Sequence, residues 1–299
     1  MTPASSVPDA RGDAMRGIVW MIGGIAALGA VVIAVRALKP DIHLWEILFL
    51  RAAIGLAAIA AIMGARGGRG FRSRRPGLQV LRNAAHVLGQ FCVFYGVLLI
   101  PLAEITAVEY TIPAMTAAMA AIFLKEKVGR HRWIGIAISF AGVLFVVRPA
   151  FGTIPPATFV VIFGAALFAI QAIMVRVLSQ LESAETQVFQ MNLLQSLMLL
   201  VPAVLVWTMP GWHHLPWLAV LGLAGMAAHY CMGRALGLAD ISVCMPLDFL
   251  RLPFIATVAW FAWGETFSPW TAVGAAIIVG GQYYAIMRER RKASALPTV

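Results

Sequence analysis

The sequence predicts an all-α integral membrane protein of ten transmembrane helices, built as two inverted five-helix repeats. Composition, the spacing of apolar runs and the distribution of basic residues carry that reading. Of 299 residues, 61% are hydrophobic and 12% charged, against about 25% charged in a soluble domain. Runs able to cross a bilayer, about 17 to 25 residues each, fall at 17–38, 43–64, 78–100, 104–124, 131–148, 156–178, 185–208, 215–236, 241–263 and 269–288. The short links leave no room for a soluble catalytic or binding domain. The formal charge of +10 would suit nucleic acid, but the basic residues are segregated. With the N-terminus inside, seventeen Lys and Arg fall on the cytoplasmic side, against Arg36, Lys39 and Arg148 outside. That bias places both termini in the cytoplasm and makes the charge a matter of topology. The loop RGGRGFRSRR (66–75) also suits anionic headgroups.

Residues 1–15 are polar and read as a disordered cytoplasmic tail rather than a cleaved signal; the first run serves as the insertion signal. Residues 16–150 and 151–290 form the two halves, and 291–299 a cytoplasmic tail. The second run carries Arg51, with Glu46 five positions away and off its face, so its partner is expected on another helix. In the third, Asn83, His86 and Gln90 fall at i, i+3 and i+7, a polar stripe that either walls a cavity or forms an interhelical seam. In the fourth, Glu109 and Tyr110 precede Pro113, which withdraws a backbone hydrogen bond. Phe168 and Gln171 in the sixth, Gln187, Gln190 and Gln195 in the seventh, and His229 with Tyr230 in the eighth are weaker candidates.

The ninth run contains PLDFLRLPF, 246–254. A charged side chain at the bilayer centre costs about 2.5 to 3.5 kcal/mol on insertion scales. Asp248 and Arg251, three apart, can neutralise each other. Pro246 and Pro253 each remove a helical hydrogen bond and leave carbonyls free to face a cavity, beside Met245. Such a site supplies an acceptor for an ammonium and a donor for a carboxylate, with Tyr110, Phe168 and Met245 to enclose an apolar side chain. Pro113, Pro246 and Pro253 are the expected hinges or helix breaks. Cys92, Cys231 and Cys244 lack CxxC spacing and read as packing residues.

Internal similarity supports duplication. VRAL (35–38) resembles VRVL (175–178), and LAEITA (102–107) resembles LADISV (238–243). Glu126, Gly135 and Gly142 recur with identical spacing as Glu265, Gly274 and Gly281. An odd number of helices per half forces the second copy to enter from the opposite side, the basis of alternating access.

The ten-run span, Arg51 in FLRAAIG, the mid-helix prolines and the doubled E-x8-G-x6-G pattern resemble the EamA-type branch of the drug/metabolite transporter superfamily, and within it bacterial amino-acid exporters of the YddG type. The resemblance implies a carrier without ATP in the bacterial inner membrane, exporting aromatic or other apolar amino acids or similar metabolites. Efflux of cationic drugs is the alternative. Four lysines, none after a glycine, exclude a Walker A loop, and neither HExxH nor GxSxG occurs. No enzymatic activity, cofactor or metal is expected. The expected partners are a small-molecule substrate and the lipid bilayer, with no nucleic acid and no obligate protein partner.

Overall fold

The structure, a computed structural model, describes residues 10–39, 41–67, 70–123, 129–147, 155–238, 247–248, 250–266 and 268–294. Among them all regular structure is helical: α1 (Ala10–Leu38), α2 (Leu44–Ala65), α3 (Pro76–Val97), α4 (Leu102–Glu109), α5 (Ile112–Phe123), α6 (Arg130–Val147), α7 (Pro156–Ser179), α8 (Ala184–Leu205), a 3-10 turn at Trp212–His214, α9 (Leu215–Leu238), α10 (Arg251–Trp263) and α11 (Pro269–Ser294). Six described stretches are long and apolar enough to cross a membrane: Met15–Leu38, Leu44–Ala65, Leu102–Ile122, Pro156–Ser179, Ala184–Leu205 and Trp212–Ala235. Large apolar side chains such as Phe163, Val201, Leu205 and Phe261 point outward. That surface suits acyl chains rather than water.

The helices depart from the sequence reading at three places. α1 starts at Ala10, so residues 10–15 continue the first helix instead of belonging to an irregular tail. The fourth run divides into α4 and α5 at Tyr110–Thr111. Pro113 cannot donate to the Glu109 carbonyl, and the Thr111 hydroxyl instead bonds back to the Val108 carbonyl at 2.7 Å. In the ninth run only Leu247–Asp248 and Arg251–Trp263 are helical among the described residues. Met245 and Pro246 lie outside them. Pro253 falls in the first turn of α10, where a missing N–H costs little. It lies beside a helix start.

α1 packs on α9, α2 on α8, α3 on α7, α4 on α10 and α6 on α11. The glycines of the doubled pattern meet at the α6–α11 crossing. A Cβ on Gly135 would stand 2.6 Å from the Gly281 carbonyl oxygen, and one on Gly142 would stand 2.7 Å from that of Gly274. Midway between them, the Ser139 hydroxyl donates to the Ile278 carbonyl at 3.3 Å. The helices are antiparallel and in backbone contact, which only glycine allows. Gly89 and Gly164 make the equivalent approach between α3 and α7.

Three carboxylates tie the bundle's ends. At one, Asp41 Oδ2 lies 3.0 Å from His214 Nε2, while His214 Nδ1 accepts from the Gly211 N–H at 3.0 Å. The imidazole proton therefore sits on Nε2 and points at Asp41, so Asp41 and His214 form a hydrogen-bonded joint, with His213 Nε2 3.9 Å from the same carboxylate oxygen. Glu46 also takes the Thr208 backbone N–H at 3.0 Å and hydroxyl at 2.9 Å. At the other end, Glu182 accepts from Ser73, Gln79 and the Arg74 and Arg75 backbone N–H groups. Burial alone would raise the pKa of Glu182; these hydrogen bonds outweigh it and hold the carboxyl below its ordinary value.

Two outcomes follow. Gly142→Ala should destabilise the bundle by about 1 to 3 kcal/mol through overpacking, whereas Gly280→Ala, which meets nothing within 4 Å, should be neutral or slightly stabilising; thermal unfolding in detergent compares them. Because the folded pKa of Glu182 is depressed, its contribution is present at neutral pH and lost as pH falls through the folded value. Glu182→Gln should therefore unfold at a lower temperature than wild type at pH 7. The gap should close in melts run below about pH 4.

Candidate functional site

Two polar clusters occupy the apolar interior. In the first, the end of α4, where the fourth run divides, meets the start of α10. Arg251, the first residue of α10, donates through Nη1 to Glu109 Oε2 at 3.2 Å and through Nη2 to Asp248 Oδ2 at 3.5 Å. Its guanidinium stands 5.4 Å above the Tyr110 ring. The Tyr110 hydroxyl accepts from the Leu252 backbone N–H at 2.9 Å and donates to the Asp248 carbonyl at 3.2 Å. It thereby satisfies a donor that the start of α10 leaves free and a carbonyl just before it. The Gln282 amide, from α11, donates to the Tyr110 carbonyl. Asp248 Oδ1 and Arg251 Nε have no hydrogen-bond partner.

The pairing of Asp248 with Arg251 was expected; the meeting of Glu109, a candidate from the fourth run, with the same guanidinium was not. Glu109 turns inward because Arg251 lies opposite, and its side chain is only 14% exposed. Two carboxylates face one guanidinium, so Arg251 is already engaged and the cluster's formal excess is negative. A cavity of about 450 Å³ adjoins it, lined by Tyr110, Leu252, Pro253, Ala256, Trp260 and Ala275 among others.

The second cluster grows from the α3 stripe. Asn83, His86 and Gln90 are all buried. The Gln90 amide is assigned with its carbonyl oxygen toward Arg51, since the opposite orientation would set its N–H groups against the guanidinium; so placed, the oxygen accepts from Nε at 2.7 Å and Nη2 at 2.9 Å. Arg51 Nη2 also reaches Gln195 Oε1 at 3.5 Å, and Gln195 Nε2 lies 3.5 Å from Asn83 Oδ1. Asn83 is held by the Gln79 carbonyl at 2.8 Å. His86 makes ring contacts with Phe168 at 5.3 Å and with His229 at 5.6 Å. Candidates from the third, sixth and eighth runs thus converge, with Arg51 at their centre.

Arg51 passes so close to α9 that a Cβ on Gly225 would stand 2.8 Å from its Nη1. Its partners are on other helices, as expected, but they are amides. Arg82, which the sequence reading passed over, lies one turn before His86 and donates to Gln79 Oε1 at 3.2 Å and the Gln187 carbonyl at 3.4 Å. Its place three and four positions from Gln79 and His86 was the available signal.

Several candidates lie elsewhere. Gln171 is half-buried and no hydrogen bond joins it to either cluster. Gln190 donates to the Phe71 carbonyl at 2.6 Å, and Tyr230 packs edge-on against Trp20 at 5.7 Å. Glu265 anchors a loop: after Gly264, left-handed at φ 66°, it accepts from the Leu102 N–H at 3.1 Å and pairs with Arg36. Glu126 lies outside the described residues.

Residues 15–148 match the model of the EamA-like transporter family. A protein of Rickettsia felis named as an S-adenosylmethionine uptake transporter is 24% identical over 286 residues, 96% of this chain and 97% of its own. A Vibrio cholerae riboflavin transporter is 26% identical, covering 93% of this chain and 95% of its own. A Pseudomonas aeruginosa pseudopaline exporter is 26% identical over 78% of this chain and 83% of its own. These names concern cargoes other than the aromatic amino acids to which the sequence resemblance pointed. A solved crystal structure superposes with a TM-score of 0.67 at 19% identity, over 92% of this chain and 98% of that one. It shares the fold.

Tyr110→Phe should remove both hydrogen bonds across the α10 start and lower stability by about 1 to 3 kcal/mol. Tyr283→Phe, at a ring 55% exposed, should change little. Thermal melts of the purified variants compare the two.

Proposed function

We propose that this member of the EamA-like transporter family is a secondary carrier that moves a small zwitterionic metabolite of the amino-acid type across the bacterial inner membrane by alternating access, without ATP. The observation that carries the reading is the meeting of the end of α4 with the start of α10 at Glu109, Tyr110, Asp248 and Arg251. Broken helices whose backbone and charged groups face each other are a recurrent way to build a site at membrane depth. Asp248 and Glu109 offer an ammonium two carboxylates, of which Asp248 Oδ1 is unpartnered. The adjoining cavity, walled by Leu252, Ala256, Trp260 and Ala275, suits an apolar or aromatic side chain.

Ten crossings in two inverted halves are part of the proposal. Exchanging the halves carries the α1–α9 contact onto the α7–α3 contact and maps the α2–α8, α4–α10 and α6–α11 contacts onto themselves. The two end joints correspond under the same exchange: Asp41 with His214 on one side, Glu182 with Ser73, Arg74 and Gln79 on the other. The charge bias puts both termini in the cytoplasm. Relatives named for uptake and for export fit a carrier whose direction is set by the solute gradient.

A second reading has its own support. Two carboxylates against one guanidinium favour a cation, so efflux of amines is the alternative. Counterflow in proteoliposomes separates them, using labelled phenylalanine, methionine, S-adenosylmethionine, riboflavin, phenylalaninamide and a cationic dye. The expected outcome is saturable exchange of zwitterions, reduced at least about tenfold in Asp248→Ala and Glu109→Gln, a loss equal to one charge-assisted hydrogen bond. Exchange of amines and dyes alone would transfer the function to the second reading. Unsaturable leak of every solute would make the protein a channel.

A further inference from the structure

A guanidinium in hydrocarbon needs both hydrogen-bond acceptors and a compensating charge. Arg51 is 3% exposed and has the first without the second. Its acceptors are the neutral amides of Gln90 and Gln195. Among the described residues no carboxylate lies within salt-bridge distance of it. Glu46, on the same helix, is turned to Thr208 instead. The ionisable groups nearest it in the cluster are Arg82, His86 and His229, none of them an acid. The one carboxylate connected to the cluster is Glu182, reached from Arg82 only through Gln79.

The geometry at Gln90 narrows the chemistry. Its carbonyl oxygen takes Nε and Nη2 together, the parallel pair of N–H groups that a carboxylate grips with two oxygens. A neutral amide oxygen fills that edge without discharging it. Beside it on α3, His86 is 4% exposed and its Nδ1 has no hydrogen-bond partner. A buried imidazole nitrogen without a partner is costly in a bilayer unless a polar group visits it.

We infer that the Nε/Nη2 edge of Arg51 is the receptor for the carboxylate of the transported metabolite, with Gln90 as its neutral placeholder and His86 Nδ1 as a second contact. This rests on the carrier reading above and assigns the substrate carboxylate a contact at α2–α3 made at a different step of transport from the α4–α10 contacts, because the ammonium and carboxylate of an α-amino acid share one carbon and do not span both clusters. In the state seen here the path at Arg51 is closed. As it opens, a substrate carboxylate displaces the Gln90 oxygen, because a charged acceptor binds a guanidinium more strongly than an amide does.

The test is Gln90→Glu, with Arg51→Lys beside it. A glutamate at 90 supplies a permanent carboxylate to the same edge. It should leave the thermal midpoint unchanged or higher and abolish counterflow of labelled phenylalanine and methionine. Arg51→Lys keeps the charge but loses the paired N–H edge; it should fold and exchange these solutes at least about tenfold more slowly. In wild type the free acids should compete roughly 10- to 100-fold better than their amides. Wild-type rates of acid exchange in Gln90→Glu, or equal competition by acids and amides, would overturn the assignment. Should riboflavin or another panel member without a carboxylate exchange while acids do not, the inference falls and the carrier reading stands. If nothing in the panel exchanges, both fall.

Discussion

A positive charge inside a bilayer must find its compensation inside the protein, and this chain buries three guanidiniums that answer the requirement differently. Arg251 meets Glu109 and Asp248 directly. Arg82 meets Glu182 through the amide of Gln79. Arg51 meets only amides. Because water is excluded, each arrangement fixes which helices approach one another. Arg251 holds α10 to α4, Arg82 ties α3 to the α7–α8 link, and Arg51 brings α2 against α3, α8 and α9. The interior is therefore organised by charge, with apolar packing filling the space that charge defines.

That organisation needs backbones close enough for short side chains to reach. Gly225 lets Arg51 lie across α9, and Gly55 lets the Asn192 amide approach α2. Where no charge is involved, at the α6–α11 crossing, the glycine pairs bring carbonyl oxygens within van der Waals range of the opposite helix. In lipid, helices gain little from apolar burial against each other, so close dispersion contact and a few hydrogen bonds supply the adhesion. The recurring glycines visible in the sequence as a doubled pattern are thus the two halves of one contact.

The helical, membrane-embedded class was legible from composition and run length, because a bilayer constrains both strongly. The α3 stripe was legible because helical periodicity puts Asn83, His86 and Gln90 on one face whatever they touch. Partners on other helices were not: nothing near Arg51 in sequence announces Gln90 or Gln195, and their meeting depends on helix packing. Arg82 escaped notice because an arginine near a helix end reads as a topology signal. The break at Tyr110–Thr111 was foreshadowed by Pro113, and Pro253 lies beside the start of α10. The second carboxylate at Arg251 was not legible, since Glu109 joins it only when α4 and α10 are brought together.

The two clusters differ in how readily they can change. An ion pair with two carboxylates resists separation, because any state that parts them strands a charge. Amide partners are more permissive: Asn83, Gln90 and Gln195 each carry a donor and an acceptor and can trade bonds without altering net charge. A carrier needs both properties, a joint that survives the transition and a surface that rearranges during it. On the proposed reading, the Arg251–Glu109 pair is the joint, Asp248 faces the incoming ammonium, and the amide network around Arg51 is the surface. The uncompensated charge of Arg51 then gives the exchange a direction, since an incoming anion gains there what Gln90 lacks.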